Sequence, residues 1–386
     1  MPKPRLFLHI GHPKTGTTGI QTFLLTNRER FLEAGLLYPQ TGVEDSAHRL
    51  LSPSFYSLRF RENRSPAVWS ALAREIRKSS LPVIVLSCEA FWFDHPRTFA
   101  PLLELAEVTV VAYLRRQDHL AESRHAQRIR SYMNMDLRRP DLAGYAEEPL
   151  TDFHRDLSRF ASLVGKDHML VRPFEPGSLC QNDPALDFMQ TIGFALPPGL
   201  TGTTSSNASL KRPYLAFKRH CNALPLLEAE HRRLGRNLNQ LSQGDPAPSP
   251  GPLLPFDQRL RIFERHQDSN AAVARDFLNR PGGGLFTEPP PDPASPWEPL
   301  LPLSPEAQRT VFDALSPENQ ACLESLWKPA RLALPGEALL PPLPDDQPDA
   351  LERLLNQRIA DQCRRRLAVL EQAFPGASAQ SGDACL

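Results

Sequence analysis

Between an apolar run, RLFLHI, and an amphipathic stretch, GIQTFLLT, lies the turn GHPKTGTT at residues 11–18, which holds one lysine, two glycines and three threonines. A strand that enters such a turn and leaves into a helix aims several backbone N–H groups at one point, with the positive end of the helix dipole behind them. That arrangement binds an anion. Gly11 and Gly16 permit close backbone approach, Thr17 and Thr18 add hydroxyl donors, and Lys14 puts a full charge at the centre, so a phosphate fits. The plainer alternative is a βα turn whose threonines only cap the helix.

Two further positions could move a proton. His48, in EDSAHRLL, titrates near ~6.5 when unperturbed and suits a general base. Glu89, in VIVLSCEAF, follows an apolar run directly; it is the second candidate for the base, or else orients Lys14 or a substrate hydroxyl. Ser87 is a further pocket candidate. A basic face at Arg124, Arg128 and Arg130 could grip an anionic glycan, although a charge run is usually a solvated face.

These residues need a scaffold that brings them together, and the alternation of short apolar runs with helical periods supplies one. RLFLHI, LPVIVLS (81–87), EVTVVAYL (107–114) and HMLVRPF (168–174) read as strands. Helices are expected at about 17–34, over the charged stretch that follows EVTVVAYL to about 133, and at about 184–192. Thr18 and Gln21 read as a T-x-x-Q capping box that starts the first helix near Thr17. This is the βαβ rhythm of a parallel sheet with at least four strands.

After residue 243 the composition shifts. GDPAPSPGPLLP cannot be helix interior or central strand and reads as an extended loop. A helix is expected over about 256–278. A second proline-rich stretch, TEPPPDPASPWEPLLPLSP, opens a C-terminal appendix with helical patterns at 305–327 and 347–374, and the last dozen residues are expected to be disordered. The expected division is 1–243 as an α/β core, 244–288 completing it, and 289–386 as the appendix.

Lys and Arg total 44, as do Asp and Glu, so no global field draws the chain to nucleic acid or an anionic membrane, and any anion site is local. The six cysteines fall in no CxxC pair or His/Cys cluster, which argues against a disulfide framework or a zinc site. No signal peptide and no apolar stretch of about 18 residues is visible, so a soluble, cytoplasmic protein is expected.

The spacing of Gly11 and Gly16 approaches a Walker A loop, G-x-x-x-x-G-K-[ST], but residue 17 is threonine and the lysine lies inside the loop, after Pro13. PKTGTT after a strand instead resembles the 5′-phosphosulfate loop of the sulfotransferases that use 3′-phosphoadenosine 5′-phosphosulfate (PAPS). Arg115 and Ser123, eight residues apart after EVTVVAYL, match that family's second motif, an arginine at a strand end followed by a serine in the next helix. LRRQDHLAES, VRPFEPGSL, DFMQTIG, NASLKRPYLAFKRHCNAL and SNAAVARDFLNRPGGGLF are similar to segments of one bacterial branch of the family, so the resemblance covers about 1–288, patchily between 40 and 105. Residues 289–386 match nothing in it.

The resemblance implies a three-layer α/β fold with a parallel sheet, a P-loop-like 5′-phosphosulfate loop and a mainly helical C-terminal extension. It implies that Pro13, Lys14, Thr15, Gly16, Thr17 and Thr18 hold the 5′-phosphate, with Lys14 at the oxygen that leaves. Arg115 and Ser123 would hold the 3′-phosphate. Lys211 and Arg212 would close over that phosphate, or else are two solvated charges before a proline. The implied activity is transfer of a sulfuryl group from PAPS, leaving 3′,5′-adenosine bisphosphate, to a hydroxyl or amine of a carbohydrate, glycolipid or small molecule, with no metal required. The rivals are a P-loop kinase or NTPase with Glu89 as a displaced Walker B acid, and a non-catalytic nucleotide or glycan binder on the same fold.

Overall fold

A computed structural model describes residues 2–57, 65–131, 151–202, 210–247 except 223 and 225, and 251–330 except 296 and 299. The chain divides into two compact units, one comprising 1–124, 143–208 and 254–296, the other 125–142, 209–253 and 297–386. Residues 209–243 fall in the second unit and 254–288 in the first.

The first unit is built on five parallel strands, β1 (Arg5–Gly11), β2 (Leu36–Leu37), β3 (Val83–Ser87), β4 (Glu107–Leu114) and β5 (Met169–Pro173), in the order β2-β3-β1-β4-β5. Its helices are α1 (Thr17–Thr26), α2 (Arg28–Glu33), α3 (Pro53–Ser57), α4 (Ser65–Lys78), α5 (Leu102–Leu105), the start of α6 (Gln117–Arg130), α7 (Phe153–Val164) and α8 (Pro184–Thr191). The second unit holds α9 (Arg212–Cys221) and α10 (Glu228–Gly244); α11 (Phe256–Arg265) and α12 (Gln267–Leu278) belong to the first, and α13 (Pro305–Asp313) and α14 (Pro317–Ala330) to the second.

Strand side chains alternate between faces, and both faces of this sheet are apolar, as in sheets covered on both sides. Leu6, Leu8 and Ile10 of β1 enter a core with Ile84, Leu86, Val110 and Ala112, closed by Phe153, Leu157 and Phe160 of α7. Phe7, Val85, Val111 and Tyr113 point the other way, against Ile20, Phe23 and Leu24 of α1 and Phe188 of α8. The result is the three-layer α/β arrangement. In the second unit Leu215 and Phe217, Leu234 and Leu238, Val311 and Phe312, and Leu323 and Leu326 form a separate all-helical core.

Some expected elements are shorter. The helix read over 17–34 breaks at Asn27, whose backbone leaves the helical region and whose side-chain amide donates to Phe23 O at 2.9 Å. The helix read over 256–278 breaks at His266 (φ −105°, ψ 1°), and the stretch 305–327 is two helices, the first capped by Ser304 at the amide of Ala307. The capping box is absent: the N-cap is Gly16, in the left-handed region with no side-chain bond, and Thr18 is exposed. The expectations for 132–133, 347–374 and the last dozen residues lie outside the described residues.

Candidate functional site

Because the chain leaving β1 runs to β2 on one side and the chain leaving β4 runs to β5 on the other, the two connections diverge, and the crevice outside the carboxyl ends of β1 and β4 is the switch point where open α/β sheets bind ligands. The strand ends deliver Gly11, Glu89, Arg115 and Glu175 to this one edge.

The turn after β1 is shaped by backbone requirements. Gly11 (φ +93°) and Gly16 (φ +76°) adopt the left-handed region. A Cβ on Gly16 would meet Pro184 Cβ at 2.8 Å, and one on Gly11 would meet the Cα of Glu89 at 3.2 Å. Lys14 is also left-handed (φ +74°), a costly conformation for a residue with a Cβ. The Thr15 hydroxyl donates back to the carbonyl of His12, and the His12 amide donates to Tyr113 O at 2.8 Å, tying the turn to the end of β4. With glycine at the N-cap, the first amides of α1 have neither an intrahelical acceptor nor a side-chain cap. Thr17 is buried and Thr18 exposed, so the two hydroxyls face different surroundings.

Arg115 Nη1 donates to the Lys14 carbonyl at 3.4 Å, which sets its guanidinium beside the turn. Burial holds its pKa down, against the opposing pull of Glu122, Asp118 and Glu288. Its neighbour Arg116 does something else. Fully buried, it grips Asp118 with two bonds of 2.8 and 3.0 Å, donates to Pro289 O at 2.6 Å, and lies over the Phe263 ring. Glu175 accepts from the amides of Thr287 and Glu288, so residues 287–289 are strapped to the same edge from two strand ends. Ser123 lies half-buried in the second turn of α6.

Glu89 opens a 3-10 turn, Glu89–Phe93, directly over Gly11. Gln21 Nε2 donates to its Oε2 at 2.9 Å, and Arg49 Nη2 stands 3.6 Å from its Oε1. Phe93, at the end of that turn, is 52 % exposed, with its ring centroid 6.4 Å from that of His12. His12 is itself buried among Trp92 and Phe153; its Nδ1 donates to Pro13 O, and desolvation together with the Arg124 charge pushes its pKa down to about 3.

His48 is a correction. It is wholly buried: the Ser87 amide donates to Nδ1 at 3.2 Å and Nε2 donates to Pro39 O at 3.0 Å. Both nitrogens are committed to backbone and burial lowers its pKa to about 4, so it pins the end of β3 and has no lone pair for an acceptor's proton. Ser87 is likewise buried, with its hydroxyl 2.7 Å from His9 Nδ1. Lys211 donates to the carbonyls of Asp245 and Ala247, and Arg212 to those of Gly251 and Glu298, so both half-buried side chains are held by main-chain carbonyls of the second unit. Sequence reasoning missed Gln21, Arg49 and Phe93. The signal for Gln21 was its place one turn into α1 on the sheet side, where a buried glutamine needs a polar partner.

No family model matches the chain. It is similar to an uncharacterized protein of Archaeoglobus fulgidus, 22% identical over an alignment of 213 residues that covers 53% of this chain and 56% of that protein; the chain thus spans about half the length of the curated relative it matches. Among solved structures it is similar to a sulfotransferase from Alicyclobacillus acidocaldarius, with 15% identity over 58% of this chain and 94% of that one and a TM-score of 0.31. Among the described residues no helix is long and apolar enough to cross a membrane, and no group of three or more His, Cys, Asp or Glu side chains could hold a metal ion.

Proposed function

We propose that this chain is a sulfotransferase that transfers a sulfuryl group from PAPS to a hydroxyl or amine of an acceptor, a carbohydrate or glycolipid, by in-line displacement. The observation that carries the reading is the meeting, at the β1/β4 switch point, of the Lys14 turn with the guanidinium of Arg115. The residues suit a nucleotide with two separate phosphates: glycine at 16 leaves the helix start uncapped, and a second cation stands beside the turn. PAPS supplies, when bound, a sulfuryl group already activated by its phosphate leaving group.

In this reading the amides of Thr15, Gly16, Thr17 and Thr18 hold the 5′-phosphate and Lys14 stabilises charge on the leaving oxygen, so no metal is called for. Arg115 and Ser123 hold the 3′-phosphate. Glu89 takes the acceptor proton; of the two candidates it alone keeps a partly exposed side chain at the sheet edge. Phe93 offers the acceptor an apolar ring face, as a pyranose needs.

Thermal shift with PAPS, 3′,5′-adenosine bisphosphate, ATP and GTP tests the nucleotide, since stabilisation grows with ligand concentration above Kd. Stabilisation by the first two alone is expected. Stabilisation by ATP without the bisphosphate would move the chain to the kinase reading, and binding without turnover on a pooled panel of glycans, glycolipids and phenols would make it a non-catalytic binder.

A further inference from the structure

We infer that Gln21 is a positioning residue that fixes the carboxylate of Glu89; this rests on the reading of Glu89 as the proton acceptor. A carboxylate oxygen can only accept from an amide, so the 2.9 Å contact to Oε2 assigns the Gln21 side chain its orientation, nitrogen toward Glu89. Gln21 is fully buried on α1, the helix that starts at the phosphate-binding turn, and Glu89 sits over Gly11 at the opposite end of that turn. One hydrogen bond therefore couples the proton acceptor to the element that carries Lys14.

The other groups facing Glu89 do not replace this bond. Arg49, from the turn Arg49–Leu51, stands 3.6 Å from Oε1, but its guanidinium is shared with Asp45 and lies over the Phe55 ring. Tyr38 and Cys88 bear on Glu89 as neutral groups, since burial pushes both of their pKa values well up. A donor held on one oxygen fixes the plane of the carboxylate and leaves the second oxygen to receive a proton, which is what a positioned base requires.

The test compares Gln21→Met with Glu89→Gln. Gln21→Met is expected to keep its Tm and its affinity for 3′,5′-adenosine bisphosphate and to lose about tenfold in kcat with little change in the acceptor KM, the split that a misplaced proton acceptor gives. Gln21→Asn, which withdraws the amide by one methylene, should give the same loss of kcat and serves if the methionine variant does not fold. An unchanged kcat in the folded variant, alongside an inactive Glu89→Gln, would overturn the inference and leave the base assignment standing. Full activity in Glu89→Gln would instead remove the base assignment itself.

Discussion

The guanidinium of Arg115 rests against the main-chain carbonyl of Lys14, 3.4 Å from Nη1 to oxygen, so the cation at the end of β4 faces the turn at the end of β1. Adjacent Arg116 points into the protein and is neutralised by Asp118. Desolvation strains the Arg115 charge, and an incoming phosphate relieves it. A charge-assisted bond of this kind is worth about 1.5 to 3 kcal/mol. Arg115→Ala is therefore expected to weaken 3′,5′-adenosine bisphosphate by more than tenfold while leaving AMP, which lacks the 3′-phosphate, nearly unchanged. Calorimetry on both ligands decides it; equal losses would mean that Arg115 only supports the turn.

Lys14 combines a charge with a left-handed backbone, and two substitutions separate them. Lys14→Ala keeps the backbone cost and loses the charge, so folding should hold while kcat falls by about 10² to 10³, the range for removing one donor from a developing oxyanion. Lys14→Gly should lose as much activity yet gain about 1 kcal/mol in stability, because glycine bears φ +74° without a Cβ penalty. Wild-type turnover in either variant would remove Lys14 from the chemistry.

The parts of the site that lie close together in sequence were legible there. The turn at 11–18 is where its glycines and flanking patterns put a strand-to-helix connection, and β4 was bounded to the residue because its apolar, β-branched run ends abruptly at Arg115. Two-residue β2 carries too little pattern to be seen. The breaks at Asn27 and His266 were invisible because the helical period continues through them. Gln21 was misread because T-x-x-Q is compatible with a cap, and only the fold shows that Glu89, far along the chain, is its partner. His48 failed for the same reason in reverse: its residue type suggests titration, whereas Pro39 and Ser87 in space remove it.

The buried histidines carry a stability consequence. The folded pKa of His48 is lowered to about 4, below the ~6.5 of the unfolded chain, so its contribution is complete above pH ~6.5 and is lost as pH falls toward about 4. His9 and His12, both lowered to about 3 by burial, act in the same direction. His48→Gln should therefore flatten the fall of unfolding free energy between pH 6.5 and 4 by about 1.4 kcal/mol per pH unit, one proton's worth. Urea midpoints measured across that window check the slope, and an unaltered slope would show that His48 is not the buried neutral group described.

Phe93 is the last residue whose role can be isolated, because it is exposed and its removal should not disturb the core. Surface substitutions away from special features usually change stability by less than about 0.5 kcal/mol, so Phe93→Ala should keep its Tm. If a sugar ring stacks on it beside His12, the acceptor KM should rise several-fold, in line with the roughly 0.5 to 1.5 kcal/mol that an aromatic contact adds, while nucleotide binding stays the same. Phe93→Tyr and Phe93→Trp preserve a ring face and should restore the acceptor KM. A KM unchanged in Phe93→Ala would place the acceptor elsewhere, and a loss of bisphosphate affinity would show that the ring serves the phosphate turn through His12 and does not serve the acceptor.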